Sequence, residues 1–212
     1  MVNGNVKQHA DRLIGKGEMP PTIIVMPSAN TTWYVDRKKK MESAFINELI
    51  PHVDRTYSTI AKRDGRMIGG LSMGGYGTVR FVMKYPELFR SAAALSPAIY
   101  DPEVPSSSSA RRVGVFGASE FDPAVWTELN YPKLLPGFLS KKIQVPMYIN
   151  SGDDDVFLIH KDATNLYERL RMNGQPAQLR IVEGGHAWDV WESTISDAMK
   201  YMASFVSRPT PK

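Results

Sequence analysis

The pattern of apolar and polar positions along the chain predicts a parallel sheet covered by helices on both faces. Short apolar runs, typical of strands that are buried on both sides, alternate with segments in which apolar residues recur every three or four positions. Such alternation indicates βαβ units, which build an α/β fold. The predicted strands are residues 22–26, 66–71, 91–95, 145–150 and 179–182.

Four helical segments are predicted between and after these strands. The first carries Met41, Phe45 and Leu49 on one face and is expected to stop at Pro51, because an internal proline removes a helical hydrogen bond. The others are predicted at about residues 73–84, 162–172 and 188–206.

The stretch of residues 97–142 breaks the alternation. It is rich in proline and serine and has no clear strand, so we interpret it as an excursion within one domain that spans residues 1–212. A lid, a wall of a substrate site and a merely decorative loop are all compatible with this composition.

Composition narrows the class of protein. A chain of 212 residues with 42% hydrophobic residues can bury a core, which excludes collagen-like, disordered and disulfide-scaffold classes. The net charge is +4, and the basic residues are scattered along the chain apart from the run at residues 37–40, so a nucleic-acid partner is not indicated. The chain has no cysteine, which excludes a thiolate nucleophile and leaves the redox compartment open.

The beginning of the chain carries no apolar signal-peptide core, and no stretch reaches the roughly 20 apolar residues that span a bilayer. We therefore expect no membrane partner. A cytoplasmic location and secretion from a longer precursor both stay open.

A candidate nucleophile lies between the second predicted strand and the helix that follows it. Gly70-Leu71-Ser72-Met73-Gly74 matches G-x-S-x-G, a turn that exposes the serine hydroxyl at the carboxyl end of the sheet. The backbone N–H of Met73 would then point to where an acyl oxygen becomes negative. A glycine-rich helix start that binds phosphate, or that merely packs tightly, is the alternative.

A serine hydroxyl needs a general base, and the chain has four histidines. His186 follows the last predicted strand in a Gly-Gly-His loop that can fold back over the sheet edge, whereas His9, His52 and His160 lie in helical or helix-end segments. We therefore predict His186 as the base. Its alternative role is to cap the C-terminal helix.

The acid that orients the histidine is expected after the preceding strand, where Asp153, Asp154 and Asp155 follow Gly152. Asp155 is the predicted acid, because its spacing from Gly152 places it where the chain leaves the sheet, and Asp154 is the alternate. A divalent cation on the triplet is disfavoured, since no further oxygen ligands lie within sequence reach.

With these motifs in place, the chain resembles the esterase D-like esterases, which include S-formylglutathione hydrolases, feruloyl and acetylxylan esterases, enterochelin esterases and mycolyltransferases. The resemblance implies an α/β-hydrolase fold and a carboxylic ester hydrolase with Ser72 as nucleophile, Asp155 as acid and His186 as base. It implies no cofactor and no metal. The segments that carry it are PTIIVMP at 21–27, GGLSMGGYG at 69–77, YPELF at 85–89, ALSP at 94–97, SGDDD at 151–155 and GGHAW at 184–188.

The chain is shortened at its N-terminus relative to this family. Members usually begin with further strands, the last of which ends in a His-Gly loop whose backbone N–H completes the oxyanion hole. That strand would lie between the predicted strands at 22–26 and 66–71. Three outcomes are open: the two strands pair directly, a second copy in a homo-oligomer supplies the missing strand, or the sequence is a fragment of a longer protein.

These observations predict a serine carboxylesterase that acts on small acyl or aryl esters, with sugar-linked feruloyl or acetyl esters as one form of substrate. Acyl transfer by the same residues is the alternative within enzymes, and a catalytically silent binding protein is the alternative outside them. The expected partner is a small-molecule or carbohydrate ester. Aromatic residues near predicted strand ends are the candidate substrate-binding residues: Trp33, Tyr34, Tyr100, Phe157 and Trp188.

Overall fold

The computed structural model describes residues 4–118 and 120–208, and its centre is one parallel sheet. The strands lie in the order β1-β2-β3-β4, so each strand pairs with its neighbour in the chain. Their bounds are β1 Met67–Leu71, β2 Ser91–Leu95, β3 Met147–Gly152 and β4 Ala177–Val182. The four predicted strands from residue 66 onward are therefore confirmed.

Helices cover both faces of this sheet. None of those in the described residues is long and apolar enough to cross a membrane. Short 3-10 turns lie at Arg63–Gly65 and Ser109–Arg111. The helices are α1 Val6–Gly15, α2 Met41–Ala44, a π-helical turn Phe45–Leu49, α3 Ile50–Thr56, α4 Met73–Lys84, α5 Pro123–Leu129, α6 Tyr131–Ser140, α7 Ile159–Met172 and α8 Trp188–Ala203.

The buried strand β2 shows how the core is divided. Successive side chains of a strand point to opposite faces, and small residues let helices approach from both sides. Ala92 and Ala94 join the larger hydrophobic cluster, with α4, α6 and α7. Ala93 and Leu95 join a smaller cluster under α8, and α1 packs against the end of that helix.

The predicted strand at residues 22–26 is absent from the structure. The segment has no strand pairing, and its apolar side chains are exposed, with Ile23 at 46% and Met26 at 58%. Backbone groups form a strand only beside a neighbour that hydrogen-bonds to them. Direct pairing of this segment with β1, one of the three outcomes left open by the sequence, does not occur.

The prediction that Pro51 stops the first helix is also wrong. The chain passes through the π-helical turn and continues as α3, with Pro51 in the first turn of that helix. A first-turn proline is tolerated, because the N–H it lacks has no partner within its helix. The wider π-helical turn separates α2 from this new start.

Much of the excursion at residues 97–142 is folded into the core. It contributes α5 and α6, and α6 packs against α4. Phe116, Trp126 and Phe138 are fully buried in the larger cluster. The Trp126 indole N–H also donates to the Tyr100 carbonyl oxygen at 3.0 Å. This region therefore forms part of the wall on the α4 side of the sheet.

A buried ionic cluster fastens α2 to α4. The Glu42 carboxylate, which is 3% exposed, accepts hydrogen bonds from Arg80 at 2.7 and 2.9 Å and from the Tyr85 hydroxyl at 2.7 Å, and it also pairs with Lys84. Burial by itself raises the pKa of Glu42, but the hydrogen bonds from Lys84, Tyr85 and Arg80 and the charge of Arg80 lower it below the ordinary value.

We predict that Glu42→Gln lowers the free energy of unfolding at pH 7 by about 3 kcal/mol, because it leaves Arg80 buried without its charge partner. A carboxyl whose pKa is lowered by folding stabilises the protein fully above its unfolded pKa of about 4.3 and stops doing so as pH falls through the folded-state pKa. Urea unfolding should therefore show the two proteins converging as the pH falls below about 4. Glu48→Gln, on an exposed carboxylate in the same helical stretch, is the control and should change little. An equal effect of both substitutions would contradict the role of the cluster.

Candidate active site

Ser72 sits on the turn between β1 and α4 with a left-handed backbone, φ 53° and ψ −117°. Such a conformation costs a non-glycine residue of the order of 1–3 kcal/mol and persists only when its surroundings hold it. Here the Ser72 N–H donates to the Leu95 carbonyl at 2.9 Å. The Ser72 carbonyl accepts from the N–H groups of Tyr76 and Ala98, each at 3.0 Å. The strained turn is thus tied to the sheet and to α4.

Two glycines make room for this turn. A Cβ on Gly70 would lie 2.4 Å from the carbonyl oxygen of Gly74, and a Cβ on Gly75 would lie 2.7 Å from the Cα of Pro97. Both contacts are with backbone, which cannot swing aside as a flexible side chain would. Close backbone approach therefore requires glycine at position 70 of the motif and at position 75, just after it.

The three residues that the sequence proposed as nucleophile, base and acid are joined by hydrogen bonds. The Ser72 Oγ lies 2.8 Å from Nε2 of His186, and Nδ1 of His186 lies 2.7 Å from Oδ2 of Asp155. Asp155 is 1% exposed, and its other oxygen accepts the Phe157 N–H at 2.9 Å. A proton on Nδ1, donated to this carboxylate, leaves Nε2 free to accept the Ser72 proton.

The other two aspartates of the triplet form hydrogen bonds with the loop after β4. Asp153 and Asp154 are exposed; the Asp153 carboxylate accepts the Gly184 N–H at 3.0 Å, and the Asp154 N–H donates to the Gly184 carbonyl at 3.0 Å. These bonds join the loop after β3 to the loop after β4. A Cβ on Gly152 would lie 2.1 Å from the same carbonyl. Among the described residues, no group of three or more His, Asp or Glu side chains is placed to hold a metal ion.

Aromatic rings hold the imidazole of His186. Phe157 and Trp191 each meet it edge to face, with ring centroids 5.0 Å apart, and the Trp191 indole N–H donates to the Ser96 hydroxyl at 3.1 Å. The sequence places Trp191 in the helix predicted at residues 188–206 and does not indicate this contact. The signal that could have found it is its place in the first turn of the helix that follows the His186 loop.

The remaining candidate substrate-binding residues lie in three settings. Trp188 is 42% exposed and stands beside Trp191, with ring centroids 5.3 Å apart. Trp33 and Tyr100 are buried at 2% and 3%, so the structure places them in the core beneath the site and not on its surface. The Tyr34 ring packs against Gly77 of α4, with its hydroxyl toward Gly74, and burial raises the pKa of this tyrosine.

Met73 begins α4, which places its backbone N–H beside the nucleophile. The first N–H groups of a helix have no partner within the helix, and the helix dipole favours negative charge at that end. The Tyr76 N–H is already bonded to the Ser72 carbonyl, so the N–H groups that precede it are the ones available to an oxyanion. The arrangement suits acyl transfer to and from Ser72.

Comparisons with known proteins point to the same chemistry. A sequence model of the family described as "Putative esterase" matches residues 1–202. The chain is 30% identical over 195 residues to an acetyl esterase of Caldicellulosiruptor saccharolyticus. This alignment covers 85% of this chain and 71% of that protein. It is 33% identical over 108 residues to an endo-1,4-beta-xylanase/feruloyl esterase of Xylanibacter ruminicola, which covers 48% of this chain and 15% of that protein.

Among solved structures, a ferulic acid esterase superposes with a TM-score of 0.75 at 26% identity, over 95% of this chain and 78% of the other. This likeness, together with the parallel sheet and its two layers of helices, confirms the α/β-hydrolase fold predicted from the sequence.

We predict that Asp155→Asn lowers the turnover of p-nitrophenyl acetate far more than Asp153→Asn does. An amide at 155 can still hold the ring but favours the wrong tautomer, an effect of the order of 10⁴-fold in the serine-protease triad. Asp153→Asn is the matched control, because that side chain bonds a backbone N–H and does not touch His186. Equal and mild effects at both positions would show that the acid lies elsewhere.

Proposed function

We propose that this protein cleaves small acyl or aryl esters through Ser72, His186 and Asp155. The proposal starts from its family: the chain belongs to the esterase family whose sequence model matches residues 1–202, and it is a carboxylic ester hydrolase. The observation that carries this proposal is the continuous hydrogen-bonded path from the Ser72 hydroxyl through the imidazole to the buried Asp155 carboxylate. A serine hydroxyl alone is a weak nucleophile, and this path supplies its base.

In the first half of the proposed reaction, Ser72 Oγ attacks the ester carbonyl carbon as Nε2 of His186 takes the hydroxyl proton. The carbonyl oxygen becomes negative and accepts a hydrogen bond from the Met73 N–H. When the tetrahedral intermediate collapses, the bond between the acyl carbon and the oxygen of the leaving alcohol breaks. The imidazolium of His186 gives its proton to this alcohol oxygen. Ser72 is then acylated.

In the second half, water attacks the acyl carbon and gives its proton to His186. The acid product leaves as the proton returns to Ser72 Oγ. Asp155 stays ionised throughout, since its part is to hold the tautomer and to stabilise the imidazolium. No cofactor enters either half of this scheme.

The substrate class is supported by the rim of the site and by the relatives. Half-buried Phe157 contacts His186, and exposed Trp188 contacts Trp191, which itself contacts His186. An aryl or sugar ring can lie against such aromatic faces. Relatives are named as an acetyl esterase and a ferulic acid esterase, and one is named as both an endo-1,4-beta-xylanase and a feruloyl esterase. We therefore propose acetyl and feruloyl esters, including sugar-linked ones, as the first substrates to test.

We predict that Ser72→Ala abolishes hydrolysis of p-nitrophenyl acetate while the thermal unfolding midpoint changes little. The alanine removes the only atom that forms the acyl-enzyme, and the half-buried hydroxyl contributes little packing. Ser106→Ala, at an exposed serine of the excursion, is the control and should keep full activity. Labelling by a fluorophosphonate should occur at residue 72. Retained turnover in the alanine variant, or labelling at another serine, would overturn the assignment.

We also predict that water is the preferred acceptor. With p-nitrophenyl acetate and added methanol or glycerol at about a tenth of the water concentration, chromatography should find acetate as the main product, since Ser72 and His186 are only half-buried and water can reach them. A main product of methyl or glyceryl acetate would identify a transferase. Absence of any Ser72-dependent product would identify a catalytically silent binding protein.

A further inference from the structure

Asn150 is a polar side chain buried in the middle of the sheet. It belongs to β3 and is 0% exposed, although asparagine is generally depleted in strands. Its side-chain oxygen accepts the Ser96 N–H at 3.2 Å, and its side-chain nitrogen donates to the Thr194 hydroxyl at 2.7 Å. A buried polar group costs free energy unless it is hydrogen-bonded, and here both partners come from other elements. Asn150 therefore joins β3 to the end of β2 and to α8.

The first turns of α8 are anchored to the sheet at two points. The bond from β3 reaches Thr194, whose hydroxyl donates in turn to the Val190 carbonyl at 2.7 Å. The second anchor is the Trp191 indole N–H, which donates to the Ser96 hydroxyl at 3.1 Å. All of these side chains are buried. Because α8 begins two residues after His186, the two anchors fix the end of the loop that carries the base.

The chain just after β2, residues 95–98, holds the nucleophile as well as this helix. The Leu95 carbonyl accepts the Ser72 N–H at 2.9 Å, and the Ala98 N–H donates to the Ser72 carbonyl at 3.0 Å. Ser96 lies between them with a left-handed backbone, φ 38°, which persists only where the surroundings hold it. Its N–H also donates to a backbone carbonyl of β3 at 2.9 Å. Residues 95–98 are thus bonded to the nucleophile turn on one side and to α8 on the other.

Trp191 connects this arrangement to the base. Its ring meets the imidazole of His186 with centroids 5.0 Å apart and planes at 90°. The other end of the base loop is held by Gly184, which is bonded to the loop after β3. A shift of the first turn of α8 would therefore move the indole and the imidazole together, and it would change the distance of 2.8 Å from Nε2 to Ser72 Oγ.

We propose that a buried network sets the distance between Ser72 Oγ and Nε2 of His186, and that it acts through Trp191. Its positioning residues are Asn150, Ser96 and Thr194. Because this role rests on the proposed function, its effect is on the step in which the Ser72 hydroxyl proton passes to Nε2 as Oγ bonds to the acyl carbon. A fully bonded buried network is rigid, which is what such a distance requires.

The first test compares Thr194→Val, which removes the hydroxyl at nearly constant volume, with Thr194→Ser, which keeps it. Thr194→Val should lower kcat for p-nitrophenyl acetate about 10-fold, since a misplacement of about 1 Å can cost about 100-fold in rate. KM should change little, because both half-reactions use the base. Thr194→Ser should restore most of the turnover. Ser193→Ala is the control: this exposed hydroxyl also donates to the Val190 carbonyl, and kcat should stay unchanged.

The second test removes the other anchor. Trp191→Phe keeps an aromatic ring beside His186 but lacks the indole N–H, and Ser96→Ala lacks its acceptor. Each should lower kcat, and the double variant should lose no more than Trp191→Phe alone, because both changes remove the same hydrogen bond. A double variant whose loss is the product of the two single losses would contradict the path through Trp191.

His186 itself gives a measurement that does not depend on esterase activity. In the Ser72→Ala background, NMR follows the Nδ1 proton that His186 shares with Asp155. Thr194→Val should speed its exchange with water about 10-fold, whereas Thr194→Ser and Ser193→Ala should not. If turnover proves independent of Ser72, the proposed function fails, and this proton still decides whether the network positions the base.

One result separates positioning from simple stabilisation of the fold. If Thr194→Val lowers the thermal unfolding midpoint but leaves kcat and the exchange of the Nδ1 proton unchanged, the proposal is wrong, and the network serves stability alone. Should Thr194→Val not fold, Ser96→Ala is measured by the same three readouts and decides in the same way.

Discussion

The left-handed backbone of Ser72 is the constraint on which the rest of the site depends. It turns the chain from β1 into α4 within one residue, which brings the hydroxyl above the sheet and the helix N-terminus beside it. Gly70 and Gly75 can only be glycine in this packing, and the hydrogen bond to Leu95 anchors the turn to the central strands. The contacts with the sheet thus stabilise the strained conformation of Ser72.

Burial separates the roles of three adjacent carboxylates. Asp155 lies in the interior, bonded to the imidazole and to one backbone N–H, while Asp153 and Asp154 face solvent and join two loops. The rings of Phe157 and Trp191 enclose the imidazole edge-on. A dry surrounding strengthens the interaction of the imidazolium with its carboxylate, because charges interact more strongly where water is excluded.

The central strands could be predicted from the sequence. The proximity of Ser72, Asp155 and His186 could also be predicted, because the carboxyl ends of parallel strands meet at one edge of a sheet. It failed for the 22–26 segment, which has the composition of a buried strand. Whether such a run becomes a strand depends on a neighbour that no local pattern reveals. Trp33 and Tyr100 were misplaced for a related reason: an aromatic residue near a strand end can turn inward or outward, and only the packing of Trp126 and Tyr76 decides which.

The contact between Gly152 and Gly184 has a consequence for how activity is lost. It links the loops after β3 and β4, so Asp155 and His186 are joined to each other, whereas Ser72 follows β1; in the described sheet β1 and β4 are the two outer strands. Strands at open edges separate from a sheet at a lower free-energy cost than central ones. Heating that loosens β1 therefore moves the nucleophile away from an acid and base pair that the bonds between their two loops still join, and activity is lost while most of the chain is folded.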